Sequence, residues 1–169
     1  MLIYFGLGSN LGDRSENLSK AIGKLKLLGK IKALSSVYET EPWGGVPQPD
    51  YLNMCVSLEC FEKIKPLEIL RAVKNFEADI GRVPSVRWGE RKIDIDILLI
   101  DDITYSSSEL TVPHVNIPDR LFVLVPLSEI LPEDWKHPVN NQSVHEMIDK
   151  LANNTQNYPK RVFRFIIQS

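Results

Sequence analysis

The spacing of apolar positions changes several times along the chain, and each change marks an element. Leu2 to Leu7 is a short apolar run, predicted as a buried strand, with GSNLG after it as a turn. Asp13 with Glu16 three residues later has the form of a helix-capping pair. Leu18, Ala21, Ile22, Leu25 and Leu28 then recur at helical spacing, with Gly29 as the stop. Ile31 to Thr40 reads as a strand of poor alternation. The stretch EPWGGVPQPD, Glu41 to Asp50, has three prolines and two glycines and reads as a long loop.

Tyr51 to Phe61 alternates cleanly, with Leu52, Met54, Val56 and Leu58 on one face and Tyr51 and Asn53 on the other. Pro66 opens a second helix that runs through Leu70, Val73, Phe76 or Glu77, and Ile80, and stops at Gly81. Arg82 to Lys92 is a second polar loop, and Ile93 to Ile100 a strand. Val123 to Leu127 is apolar but too short to assign a type. Ser143 with Glu146 starts a last helix carrying Val144, Met147, Ile148 and Leu151, and Arg161 to Gln168 reads as a final strand. The order β-α-β-β-α-β is that of the ferredoxin-like motif. The expected fold is therefore α+β, an antiparallel sheet with helices on one face and additional C-terminal helices and strands. The length suits one domain, residues 1–169.

Charge narrows the function classes. Lys and Arg number 20 against 22 Asp and Glu, a net charge of −2, where a general nucleic-acid binder carries a basic surplus. No nucleic-acid partner is expected. The N-terminal run lacks a basic n-region and is too short for a secretory signal, and no apolar stretch reaches membrane-spanning length. Cys55 and Cys60, five apart on one strand, point to opposite faces and cannot pair with each other. These features predict a reduced, cytoplasmic protein with no membrane partner. His114, His137 and His145 lack metal-ligand spacing.

The chemistry concentrates in RWGERKIDIDILLID, Arg87 to Asp101. Side chains two apart on a strand share a face, with roughly 6.6 Å between their Cα atoms. Asp94 and Asp96 therefore point together, while Ile93, Ile95, Ile97 and Leu99 point into the core. Two such carboxylates repel unless a cation lies between them, and hard oxygens at this spacing suit Mg2+. Taken alone, the pair is read equally well as the polar side of a half-buried strand. Arg82, Arg87, Arg91 and Lys92 just upstream, with Trp88 among them, add what a polyphosphate needs: guanidinium forks beside bridging metals. Gly6, Gly8 and Gly12 suggest a phosphate loop, but Leu11 occupies the third glycine position of the dinucleotide fingerprint and no Gly-Lys-Ser/Thr follows. A tight turn and close backbone approach is the expected role, with Asn10 placed to pin a neighbouring loop.

The run Arg87 to Ile97 resembles the signature of the 6-hydroxymethyl-7,8-dihydropterin pyrophosphokinase family of folate synthesis. GLGSNLGD, SSVYETEPWG, QPDYLN, FEADIGR, and LTVPH followed by Arg120 and Phe122 resemble that family in the same order, over about residues 2–130. The resemblance implies transfer of the β,γ-pyrophosphoryl group of ATP to the pterin hydroxymethyl group, releasing AMP. It implies two Mg2+ ions on Asp94 and Asp96, with Arg82 and Arg91 as catalytic loop arginines over the phosphates. Arg87 and Trp88 match further positions of that loop. On the ATP side it implies Glu77, Ile97, Leu110, Thr111, His114 and Arg120. On the pterin side it implies Tyr51 and Phe122 as the ring sandwich and Asn53 as reader of the amide edge. Thr40, Pro42, Trp43 and Trp88 complete that pocket. The chain departs from the family at Lys74, Pro84, Glu109 and Val115, all on the nucleotide side, and carries Glu90 where proline is usual. The two polar loops are candidate lids, a monomer is expected, and dihydropteroate synthase, the next pathway enzyme, is a candidate partner. The rival readings are a ferredoxin-like RNA-binding module, which lacks the RNP1 pattern here, and a pterin- or nucleotide-binding protein without turnover. The latter has no use for both aspartates together with two loop arginines.

Overall fold

β4 (Tyr51–Cys60) is the spine of the molecule, and nine of its ten residues are buried or half-buried. In the computed structural model, which describes residues 1–42, 47–82, 90–153 and 157–166, it pairs antiparallel with three strands. β1 (Leu2–Ser9) lies on one side, and β2 (Gly29–Leu34) and β3 (Ser36–Thr40) share the other. β5 (Asp94–Ile100) closes the far side of β1, and β8 (Lys160–Arg164) pairs with β3. The order β5-β1-β4 followed by β2 and β3 is the ferredoxin-like arrangement. β6 (Tyr105–Ser106) and β7 (Thr111–Val112) form a small separate hairpin that the sequence reading did not place.

Two helices cover the first face. α1 (Arg14–Leu25) starts where Asp13 accepts the Glu16 N–H at 2.9 Å, as the capping pattern predicts. Gly29 does not end it. Lys26 is the C-cap, and Gly29 opens β2, where an added Cβ would lie 2.2 Å from the Glu59 carbonyl. α2 (Pro66–Ile80) ends at Gly81, whose φ of 98° lies in the left-handed region. Leu18, Ala21, Ile22, Leu25, Ile69, Val73 and Ile80 pack on Ile3, Phe5, Leu7, Met54, Val56 and Ile95. Each of these side chains larger than alanine contributes about 1.5–3 kcal/mol when taken from water.

The helices are not confined to that face. The apolar run of unassigned type is α3 (Leu121–Ser128), six of whose eight residues are buried. It lies with α4 (Val144–Ala152), capped reciprocally by Ser143 and Glu146 as expected, over the second face. Tyr4, Tyr38, Cys55 and Leu98 of the sheet pack there, which explains why α3 is apolar all round. Leu99 belongs to this second cluster and not to the first, because a register shift at Tyr4/Phe5 interrupts the alternation of β5. The single strand expected over Ile31–Thr40 is broken at Ser35. Its N–H donates to the Cys55 carbonyl at 3.0 Å and its Oγ accepts the Cys55 N–H at 2.8 Å. Cys55 and Cys60 are free and lie in opposite clusters.

Candidate active site

Gly8 of β1 stands opposite Asn53 of β4 on one side and Asp94 of β5 on the other. Gly6, two residues back, stands opposite Cys55 and Asp96. Laterally paired residues share a sheet face. The glycines thus form a floor without side chains between a row of Tyr51, Asn53 and Cys55 and a row of Asp94 and Asp96. The two rows are separated by two strand spacings, roughly 10 Å. The strand extends through Ser9, so GSNLG is not one turn. Gly12, at φ 70°, makes the turn. At Gly8 a Cβ would lie 2.8 Å from Asn53 Oδ1. A cavity of about 260 Å³ opens over this floor.

The acidic row is set among cations. Arg82 Nη1 donates to Asp94 Oδ1 at 2.7 Å, and Arg91 Nη1 to Asp94 Oδ2 at 2.8 Å. Arg82 also pairs with Glu77, a side chain only 2% exposed. Glu77 Oε1 accepts the Ile95 N–H at 2.7 Å, and Oε2 pairs with Lys74 at 3.0 Å. Burial pushes the Glu77 carboxyl up, and Lys74, the Ile95 N–H and Arg82 oppose that rise. Glu77 therefore ties α2 to β5 and aims Arg82. Burial, and then the charge of Asp94, push Asp96 up from 3.8 to about 6.

On the neighbouring wall, burial and Arg120 hold His114 below the usual imidazole range. Its Nδ1 accepts the Asn116 N–H at 3.2 Å, which leaves the proton of the neutral ring on Nε2. The Arg120 guanidinium lies 5.6 Å from the Phe122 ring centroid, within cation–π range. In the other row, Asn53 Nδ2 donates to Thr40 Oγ1 at 2.6 Å, fixing the amide's orientation.

Of the residues the sequence reading singled out, Thr40, Tyr51, Asn53, Arg91, Asp94, Asp96, His114, Arg120 and Phe122 line the cavity together. Pro42, Glu77, Arg82, Ile97, Leu110 and Thr111 do not line it. Ile97 and Leu110 have their side chains in the first core cluster, and Arg82 reaches the site through Asp94. Trp43, Arg87 and Trp88 lie outside the described residues, as does Pro84. The sequence reading missed Gly6, Leu7, Gly8, Glu41, Gln48, Met54, Cys55 and Val123 as lining residues. The signal was glycine at alternate positions inside an apolar strand, which clears one face of side chains.

Among the described residues no group of three or more His, Cys, Asp and Glu is placed to hold a metal ion. Two adjacent carboxylates, one of them raised by burial and then by its neighbour's charge, still fit a divalent cation whose shell is completed by water and phosphate oxygens. That is the coordination habit of Mg2+.

Paired carboxylates, one of them held by two arginines, suit the handling of phosphoryl groups, and an aromatic and an amide lie one glycine strand away. The family model described as 7,8-dihydro-6-hydroxymethylpterin-pyrophosphokinase matches residues 4–132. The chain belongs to that family. It is 40% identical over 144 residues to the 2-amino-4-hydroxy-6-hydroxymethyldihydropteridine pyrophosphokinase of Aquifex aeolicus, covering 85% of this chain and 88% of that protein. It is 38% identical over 152 residues to the folic acid synthesis protein fol1 of Schizosaccharomyces pombe, covering 89% of this chain but only 20% of that protein. A Plasmodium falciparum HPPK-DHPS crystal structure superposes with a TM-score of 0.71 at 20% identity, over 90% of this chain and 42% of that one. This last likeness is one of fold.

Proposed function

We propose that this chain transfers the β,γ-pyrophosphoryl group of ATP to the hydroxymethyl oxygen of 6-hydroxymethyl-7,8-dihydropterin, releasing AMP. The observation that carries the reading is the glycine floor. It supports the reading because Tyr51, Asn53 and Phe122 line the same cavity as Arg91, Asp94, Asp96, His114 and Arg120. Tyr51 and Phe122 stack the pterin from either side. Asn53, its amide held by Thr40, reads the ring's edge. Arg82, Arg91 and Arg120 bind the triphosphate, and His114 donates from Nε2 on the nucleotide side.

Asp94 and Asp96 would hold two Mg2+ ions, which supply charge neutralisation along the triphosphate and lower the pKa of a bound hydroxyl. The protein's own contribution is placement. The pterin oxygen is held in line with the β-phosphorus, the O–P bond to AMP breaks as the new one forms, and the hydroxyl proton leaves to solvent. Closure of the two polar loops over the site would exclude water, as the sequence reading expects of lids; residues 43–46 and 83–89 of these loops lie outside the described residues.

No described helix is long and apolar enough to cross a membrane. We place the protein in the cytoplasm as a monomer, with dihydropteroate synthase as the partner that consumes its product. The HPPK-DHPS chain of Plasmodium supports that pairing. The test is an assay of ATP, Mg2+ and the reduced pterin alcohol. AMP formed one-for-one with a pterin diphosphate ester is expected. Tight binding of both substrates without AMP would establish the non-catalytic reading instead.

A further inference from the structure

Asn10 follows β1 directly and is only 3% exposed, and both ends of its side-chain amide are engaged. Oδ1 accepts the Arg91 N–H at 2.8 Å, while the Asn10 backbone N–H donates to the Arg91 carbonyl at 3.1 Å. Nδ2 donates to Gln48 Oε1 at 2.9 Å and to the Pro49 carbonyl at 3.1 Å. One side chain therefore holds two segments that are far apart in the chain, Gln48–Pro49 and Arg91. Gln48 and Pro49 lead into Tyr51 and Asn53. Arg91 leads into Asp94 and Asp96, and its own guanidinium lies on Asp94.

Asn10 is itself held. Ser9, fully buried, donates from Oγ to the Lys92 carbonyl at 2.6 Å, and buried Asn17 donates to Ser9 Oγ at 3.2 Å and to the Leu11 carbonyl at 2.9 Å. Few side chains can replace it. Aspartate has the acceptor but no donor, serine is too short to reach both segments, and glutamine is one methylene longer.

We propose that Asn10 is a positioning residue that sets the pterin-side wall of the cavity against the phosphate-side wall. The proposal rests on the pyrophosphoryl-transfer reading. Only a two-substrate transfer makes the relative placement of the walls matter, and a misplacement of ~1 Å can cost about a hundredfold in rate.

The two ends of the amide separate experimentally. In Asn10→Asp the acceptor for the Arg91 N–H remains, while both donors are lost and a carboxylate faces the Pro49 carbonyl. Affinity for 6-hydroxymethylpterin is expected to fall about tenfold. Affinity for a non-hydrolysable ATP analogue should change less than about threefold, since no phosphate-side bond is removed. The Arg91 amide should stay protected from hydrogen exchange. In Asn10→Ala that protection should be lost, and the single-turnover rate should fall by more than either affinity does. Parallel losses of both affinities in Asn10→Asp, or no loss in either, would overturn the proposal. Should Asn10→Asp not fold, Asn10→Ala decides alone: a rate loss no larger than the affinity losses overturns it. Both affinities are read without turnover, so a wild-type protein that makes no AMP would refute the transfer reading separately from this split.

Discussion

Arg82 Nη1 donates to Asp94 Oδ1 at 2.7 Å, so a phosphate-side cation occupies an oxygen that a metal would need. Arg91 occupies the other at 2.8 Å. Under the proposed reading, a metal and the arginines would compete for Asp94 until phosphates drew the arginines away. Free Mg2+ should bind weakly and bind more tightly with nucleotide present. Arg91→Ala should raise the affinity for free metal several-fold, on the scale of about 1 kcal/mol for a partly exposed pair. Calorimetric titration of the substrate-free protein checks this. Unchanged metal affinity in the variant would contradict the competition.

Asp96 gives a pH signature. Its folded-state carboxyl lies at about 6 against an ordinary 3.8, raised by burial and by Asp94. A raised carboxyl favours the protonated form, so its penalty on the ionised fold is absent below about pH 4, grows to about pH 6 and is complete above that. Without metal, Asp96→Asn should be more stable than wild type at pH 7.5, by on the order of 2 kcal/mol, and nearly equal to it at pH 4. Urea unfolding at the two pH values measures the difference. The same variant should lose at least about a thousandfold in Mg2+-dependent turnover.

The two floor glycines should respond differently to alanine. At Gly6 the new Cβ meets Leu98 at an ordinary 3.5 Å, whereas at Gly8 it meets Asn53 Oδ1 at 2.8 Å. Gly6→Ala should fold with a stability change under about 1 kcal/mol, and Gly8→Ala should cost about 1–3 kcal/mol. Gly8→Ala should also displace the amide of Asn53 and weaken pterin binding about tenfold. Thermal melts and pterin fluorescence titration separate the two effects. Equal behaviour of the two variants would show that the floor is not shaped by Asn53.

The rows should also separate kinetically. Arg82→Ala and Arg91→Ala should slow single-turnover chemistry by about a hundredfold or more while pterin affinity holds within about threefold. Tyr51→Ala and Asn53→Ala should do the reverse. Arginine variants that lose pterin affinity and keep the rate would reassign the phosphate side.

What the sequence disclosed followed the range of its signals. The aspartate pair, Arg82 and Arg91 before it and the alternation of β4 are local, and all were legible. So were Pro66, Gly81 and the Ser143–Glu146 cap, where a single residue type satisfies a local backbone requirement. The second layer was not legible. α3 shows no polar face to betray a helix, because the sheet and α4 bury it from several sides. The break at Ser35 depends on bonds to Cys55, and the displacement of Leu99 depends on a bulge against β1. The glycine floor needed to be known as the middle strand before its empty face had meaning.

The central claim concerns which bond of ATP breaks, and ATP labelled at the γ-phosphorus tests it most directly. Incubated with Mg2+ and the reduced pterin alcohol, the protein should carry the label into the terminal phosphate of a pterin diphosphate ester, with AMP as the only nucleotide product. Label in a pterin monophosphate with ADP, or label released as inorganic phosphate with no pterin ester, would contradict the account.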